Sequence, residues 1–289
     1  MLKKEGSKAW IFSCCNSSRF VIFADYNYGM QVKHEDRPLI LVTNDDGYRA
    51  KGIQALIEVV KPYGKLVVVS PNEPQSGMSH AITVKYPLRL EKYEETEDVL
   101  FYICSGTPVD CVKIAMNQLF KRKPDLLVSG INHGANSSSS VVYSGTMAAA
   151  MEGCLYEVPS IGFSLLDFSR DADFSACIRP AQKIVENVLK NGLEKGTCLN
   201  VNIPNVKEEE MRGIRVCRQN RGVWREEFDK RTDPSNKEYY WLTGEFYNLE
   251  PESDDTDEWA LHHKFISIVP VQTDLTAYTS LDNLRKWNF

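Results

Sequence analysis

Two adjacent carboxylates, Asp45 and Asp46, stand directly after an apolar run in "LILVTNDDGYRAKG", residues 39–52. Like charges side by side repel unless positive charge lies between them. A hard divalent cation (Mg²⁺, Mn²⁺ or Ca²⁺) meets that need, and such cations take oxygen ligands. More oxygen-bearing side chains follow at matching points. Asn72, Glu73 and Ser76 come after a second apolar run, and Ser129, Asn132, His133 and Asn136 within or after a later one. Ser144, Gly145 and Thr146 open a helical stretch, and Asn44 precedes the two acids. The inventory holds one imidazole and almost no sulfur. "SGT" at a helix start offers unpaired backbone N–H groups, two hydroxyls and a positive dipole end, which suit phosphate. A metal beside such a terminus points to phosphoryl chemistry, in which the metal neutralises phosphate oxygens and activates water. Gly47 allows a tight turn after the acids, and Gly130 and Gly134 let backbone approach a ligand.

Taken singly, each feature is ordinary. Asp-Asp-Gly is a common turn, "SGT" is usually a cap, and a lone His133 is more often a surface residue than a ligand. No G-x-G-x-x-G follows the first strand, which leaves a dinucleotide fold without support. What joins these residues is that each set ends, or closely follows, an apolar strand. Leu39–Val42 reads as a buried strand, followed by a helix from Gly52 to Val60. "KLVVVSP" (65–71) and "VLFYICS" (99–105) read as further strands. Thr107 can cap the next helix and Pro108 suits its first position; Val109, Val112, Met116 and Leu119 continue at helical spacing. "PDLLVSGINHGAN" (124–136) is strand and loop, "SGTMAAAMEGCLY" (144–156) a small-residue helix, and "SIGFSLL" a strand. Residues 172–191 are expected as a surface helix, and "TCLNVNIP" as a sixth strand.

Continuous apolar strands alternating with helices imply an α/β fold: a Rossmann-like, three-layer core around a mostly parallel sheet. Ligands in such sheets sit beyond the carboxyl ends of the strands. Residues 37–213 are assigned to this catalytic core. From 214 to 289 the pattern turns extended and aromatic, with a polar turn near Asp233–Asn236, an acidic loop with a short helix, and a returning strand in "KFISIVPVQ". This reads as a C-terminal β-hairpin arm whose aromatic residues at 239–247 pack on their own domain or on another subunit. Residues 1–36 are expected to be a poorly ordered N-terminal extension.

The chain carries 34 Lys and Arg against 39 Asp and Glu, a net charge of −5, which argues against a general nucleic-acid binder. Its eight cysteines include no C-x-x-C pair and read as free thiols in a reducing cytosol. No run is long enough to span a membrane. The apolar part of the N-terminal stretch is broken by Asn16, Ser17, Ser18, Arg19 and Asp25, unlike the continuous centre of a signal peptide. The expectation is a cytoplasmic protein with neither nucleic acid nor membrane as partner.

"ILVTNDDG", "SPNEPQSG", "CSGTPVDCV", "DLLVSGINHGAN" and "YSGTMAAAMEG" resemble, in order, the signature blocks of the SurE survival-protein family of 5′/3′-nucleotidases. "RQNRGVWREEF" and "EYYWLTGEF" resemble its later segments, so the likeness covers roughly residues 37–275. The resemblance implies a divalent-metal-dependent phosphatase that hydrolyses nucleoside 5′- and 3′-monophosphates, with short polyphosphate a further substrate of some members. It implies one cation per subunit, Mg²⁺ or Mn²⁺, held by Asp45, Asp46, Ser76 and Asn132. Asn44, Asn136, Ser144, Gly145 and Thr146 match further active-site positions around the phosphate. It also implies a homodimer or homotetramer built through the C-terminal arm. Two positions depart from the family's usual pattern: Gln75 stands where a basic residue often precedes the serine, and His133 where an arginine often follows the asparagine. The residues leave open whether Asp45 or Asp46 deprotonates the attacking water. An aspartyl-phosphate mechanism of the haloacid-dehalogenase type wants D-x-D rather than N-D-D, and a non-catalytic nucleotide-binding or assembly protein would bind without turnover.

Overall fold

The computed structural model describes residues 37–169 and 171–289; the expected extension, residues 1–36, lies outside the described residues. The chain runs β1 (Leu39–Thr43), α1 (Lys51–Val60), β2 (Lys65–Pro71), β3 (Leu90–Glu95), β4 (Val99–Cys104), α2 (Pro108–Ile114), β5 (Leu126–His133), α3 (Gly145–Leu155) and β6 (Ser160–Leu165). It continues through α4 (Ile178–Asn191), β7 (Thr197–Ile203), β8 (Ile214–Val216), β9 (Gly222–Thr232), β10 (Glu238–Asn248), α5 (Asp257–His262), β11 (Ile266–Gln272) and α6 (Tyr278–Leu284).

Among the described residues nine strands form one sheet in the order β3-β4-β2-β1-β5-β6-β7-β11-β8. The six from β4 to β7 are parallel, while β3 and β11 run antiparallel to their inner neighbours. Alternation along β1 explains the layers. Ile40 and Val42 face a cluster that includes Ile53, Leu56 and Val60 of α1 and Ile184, Val185 and Val188 of α4. Leu39 and Leu41 face the other side, with Cys111 and Val112 of α2 and Ala149 of α3. Both faces are thus covered, the condition under which a parallel sheet is stable. The strand order reverses about β1, so a crevice opens between the carboxyl ends of β1 and β5.

Several elements differ from the sequence-based expectation. The helix expected over 172–191 begins at Ile178, because the Asp173 side chain accepts hydrogen bonds from the Ser175 N–H and hydroxyl and holds a turn there. The helix after Thr107 keeps its α form to Ile114 and then widens into a π turn over Ala115–Leu119. Its cap is a reciprocal one: Thr107 Oγ1 accepts from the Asp110 N–H, and Asp110 Oδ2 from the Thr107 N–H. Strand β3 has no counterpart in the sequence-based expectation, and β8 lies in the stretch expected only as extended from 214 onward. β3 is largely exposed and charged, which is how edge strands avoid pairing with other chains.

Beyond residue 213 the chain returns to the same sheet, since β8 and β11 lie at its far edge. Of the described strands only β9 and β10 leave it, as a two-stranded antiparallel hairpin. Its tip is fixed by the Asp233 carboxylate, which accepts from Ser235 and Lys237 N–H at 2.8 and 2.9 Å. Near its base the Trp224 and Phe246 rings meet edge-on at 5.8 Å.

Candidate active site at the carboxyl ends of β1 and β5

The turn after β1 is built by Asn44. Its amide donates to the Gly47 carbonyl at 2.9 Å and its carbonyl accepts from the Ser70 hydroxyl at 2.6 Å. With both ends engaged and the residue 1% exposed, Asn44 shapes the loop that presents the acids. Gly47 sits at φ +88°, with the β2 loop backbone close by. That loop is drawn in by the Gln75 N–H, which donates to the Asp45 carbonyl at 2.7 Å and brings Ser76 beside Asp45. Further along, Ser79 ties the same loop to the segment before α3 through Tyr143 O and Val142 O.

A cavity of about 580 Å³ lies at these strand ends, within the range of small-molecule sites. Asp45, Ser76, Asn132, His133, Asn136 and Ser144 all line it, joined by Gly134 and Phe168 and, from the hairpin, Trp224 and Leu242. Strands β1 and β5, the β2 loop and the start of α3 therefore converge on one space. A larger cleft of about 1220 Å³ is lined mainly by apolar side chains such as Leu193, Val269 and Val271 and shares only Ser144 with the predicted site. Its lining offers little of the oxygen chemistry read from the sequence, so the smaller cavity is the candidate site.

Asp45 is almost fully buried. Burial first, and the neighbouring Asp46 charge second, push its carboxyl up to about 7, against the pull of hydrogen bonds from Thr146 and its own backbone. Asp46 is less buried. Desolvation raises its carboxyl too, opposed by the His133 N–H, which donates to Oδ2 at 3.3 Å. Two adjacent acids both disfavoured as anions form a pair that a cation would relieve. Asn132 spends its amide nitrogen on the Gly134 carbonyl at 2.7 Å, which leaves Oδ1 as its free ligand atom. Among the described residues no three His, Cys, Asp or Glu gather as a metal cluster. Asp45, Ser76 and Asn132 instead present oxygen atoms to the cavity, a donor chemistry that suits a hard divalent cation, while Asp46, next in the chain, is not among the lining residues.

The "SGT" residues divide their roles. The Ser144 hydroxyl caps α3 by accepting from the Met147 N–H at 3.0 Å, and this residue lines the cavity. Thr146 is fully buried, and its hydroxyl donates to Asp45 Oδ1. The start of α3 thus grips a carboxylate of the chain itself, and Thr146 orients Asp45. Gly145 is needed for space: a Cβ there would lie 2.9 Å from Asp45 Cβ and 3.0 Å from Oδ2. The close approaches read at Gly130 and Gly134 are to protein. A Cβ on Gly130 would lie 2.2 Å from Phe163 O, and one on Gly134 would lie 2.1 Å from the Phe168 ring. The His133 ring meets Phe174 edge-on at 5.0 Å, and its Nδ1 lies 3.1 Å from Ser169 O.

Asn136 is held by residues the sequence reading passed over. Its N–H donates to Asn202 Oδ1 at 2.7 Å, its carbonyl accepts from Asn200 Nδ2 at 2.7 Å, and its amide donates to Ser164 Oγ at 2.8 Å. The signal was present in "LNVNIP": two asparagines inside a buried strand must have partners. Asp257 was also missed. It is fully buried and accepts from the N–H groups of Ser138, Asn220 and Glu258, fastening the segment before α3 to the base of the hairpin. Glu152, 3% exposed, accepts from His80 at 2.9 Å and from Lys113 at 2.6 Å and so clamps the β2 loop to α3.

The sequence matches the model of the SurE family, "Survival protein SurE", over residues 40–226. It is 55% identical over 257 residues to the 5′-nucleotidase SurE of Christiangramia forsetii, covering 88% of this chain and 98% of that protein. It is 47% identical over 251 residues to the 5′-nucleotidase SurE of Bacteroides fragilis, covering 87% of this chain and 98% of that protein. The crystal structure of the SurE protein from Aquifex aeolicus superposes with a TM-score of 0.75 at 38% identity, covering 86% of this chain and 98% of that one.

Proposed function

This chain belongs to the SurE family, and on that premise we propose that it is a divalent-metal-dependent 5′-nucleotidase, hydrolysing nucleoside 5′- and 3′-monophosphates to nucleoside and phosphate. The supporting observation is the convergence of Asp45, Ser76, Asn132, Asn136 and Ser144 on one cavity at the strand ends. The relatives' names as 5′-nucleotidases support the substrate class. Short polyphosphate is a further substrate under the same chemistry.

Asp45, Asp46, Ser76 and Asn132 would hold one cation, Mg²⁺ or Mn²⁺. When bound, it would neutralise phosphate oxygens and polarise a water for attack. Of the two carboxyls, Asp45 faces the cavity, whereas Asp46 is turned to the His133 backbone. Thr146 donates to Asp45 Oδ1, which favours Oδ2 as the atom that would hold the attacking water and take its proton. Asn136, with its backbone and amide nitrogen fixed, keeps its Oδ1 as the one unspent side-chain polar atom, and Ser144 stands beside it on the cavity wall. Both position the phosphate, and Asn44 and Thr146 hold the acids in place.

The hairpin exposes Phe228, Tyr240, Trp241 and Leu242, each more than half accessible. That apolar surface supports assembly into a dimer or tetramer through the arm. The free, buried cysteines at 104, 111, 154, 177, 198 and 217 fit a reducing cytoplasm. Among the described residues no helix is long and apolar enough to cross a membrane.

The test is phosphate release from a panel of nucleoside 5′- and 3′-monophosphates, with Mn²⁺, with Mg²⁺ and with chelator. The wild type should turn over only with metal, and Asp45→Asn and Asp46→Asn should fold but lose at least a hundredfold in kcat/KM, the first through loss of the base and the second through loss of a carboxylate that would hold the cation. Near-normal rates in either variant would remove the proposal.

A further inference from the structure

We propose that Phe168 is the stacking platform for the nucleobase of the substrate, an inference that rests on the nucleotidase reading. Phe168 is 76% exposed and lies just beyond β6, the strand next to β5. A single exposed aromatic is ordinary on a protein surface; what sets this one apart is its place. This ring lines the same cavity as Asp45, Asn132 and Ser144.

The ring is not on a loose loop. The Gly134 N–H donates to both Leu165 O and Asp167 O, at 2.8 and 3.0 Å. The Asp167 carboxylate accepts from the Ser169 N–H at 2.8 Å and closes a turn around residue 168. His133 Nδ1 contacts Ser169 O from the other side, and Leu166 N–H donates to Ile203 O at 2.9 Å. The ring itself rests on Gly134, where a Cβ would take its place. The residues that seat Phe168, Gly134 and His133, directly follow the proposed metal ligand Asn132. The platform is therefore in fixed register with the phosphate position. A phosphate at the acids places the rest of the nucleotide along this wall, with Trp224 and Leu242 of the hairpin also on the cavity surface.

A phenyl ring has a π face and no polar edge, so it accepts any base and reads none. The expected result is tolerance among bases, tighter binding of the larger purines, and weak use of phosphomonoesters that lack an aromatic group.

Phe168→Ala should raise KM for AMP by about 5- to 150-fold, the range for losing one base–aromatic stack, with kcat within about twofold. The KM for ribose 5-phosphate, which has no base, should stay within about twofold. Phe168→Trp should restore AMP binding, and Phe168→Leu, apolar but without a π face, should not. Equal losses on AMP and ribose 5-phosphate, an unchanged KM for AMP, or rescue by leucine as complete as by tryptophan would each overturn the assignment. Equilibrium binding of adenosine, which requires no turnover, separates this inference from the nucleotidase reading. If the wild type released no phosphate, weaker adenosine binding by Phe168→Ala would still support the platform, and equal adenosine binding would reject it.

Discussion

Replacing Asp45 with Asn should make the metal-free protein more stable while removing its activity. Asp45 is 3% exposed, and burial, then Asp46, carry its carboxyl from 3.8 to about 7. Its folded value lies above its unfolded value, so the folded state keeps a proton that the unfolded chain has released. The stability this contributes is complete below pH about 4 and is lost as pH rises through about 7. At about 1.4 kcal/mol per tenfold change, an ionisable Asp45 costs the metal-free fold about 2 kcal/mol at pH 5 and about 4 kcal/mol at pH 8. Asparagine has the same shape, still offers Oδ1 to Thr146, and does not ionise. Guanidinium denaturation in chelator, followed by circular dichroism from pH 5 to 8, should therefore show the variant more stable, with a gap that widens by about 2 kcal/mol. Adding Mn²⁺ should raise the stability of the wild type and leave the variant nearly unchanged. A gap that stays flat with pH, or a variant less stable than the wild type at pH 8, would refute the claim that Asp45 is held as a strained, cation-seeking carboxyl.

Three further outcomes follow from the same geometry. Gly145→Ala should destabilise the protein by about 1–3 kcal/mol through overpacking and weaken Mn²⁺ binding measured by calorimetry, because the new methyl meets Asp45 at 2.9 Å. Asp257→Ala leaves the Ser138 and Asn220 N–H groups buried without an acceptor; thermal denaturation should register a loss of about 2–5 kcal/mol, and limited proteolysis should cut first near the hairpin base. Glu152→Gln should cost about 1–2 kcal/mol, since Lys113 and His80 are each at least a third exposed and regain water. Its loosened β2 loop should raise the Mn²⁺ concentration needed for half-maximal activity.

The alternation of apolar strands and helices was legible in the sequence because both periods are local: two for strands, 3.6 for helices. Leu39–Val42, the Leu66–Val69 run of residues 65–71 and the Leu126–Val128 run of residues 124–136 could be recognised as buried strands from their unbroken apolar stretches. The edge strands β3 and β8 could not. β3 is charged along most of its length, and β8 is three residues long; each exists because a neighbour supplies its hydrogen bonds. The helix start at Ile178 rather than 172 was hidden for a related reason, since a side-chain cap at Asp173 competes with helical pairing.

Within the site, the residue types and their positions after strand ends were set by the sequence alone, and with them the all-oxygen chemistry. Which way each side chain turns was decided only by tertiary structure. Asn44 and Thr146 point inward to hold the loop and Asp45, while Asp45, Ser76, Asn132 and Ser144 line the cavity. The supports of Asn136 come from β6 and β7, 28 to 66 residues away along the chain, and the anchor at Asp257 is 119 residues from Ser138. Local spacing carries no information about such partners. A buried polar atom is satisfied by whatever the packed layers bring within about 3 Å, and that meeting occurs only once the sheet has closed.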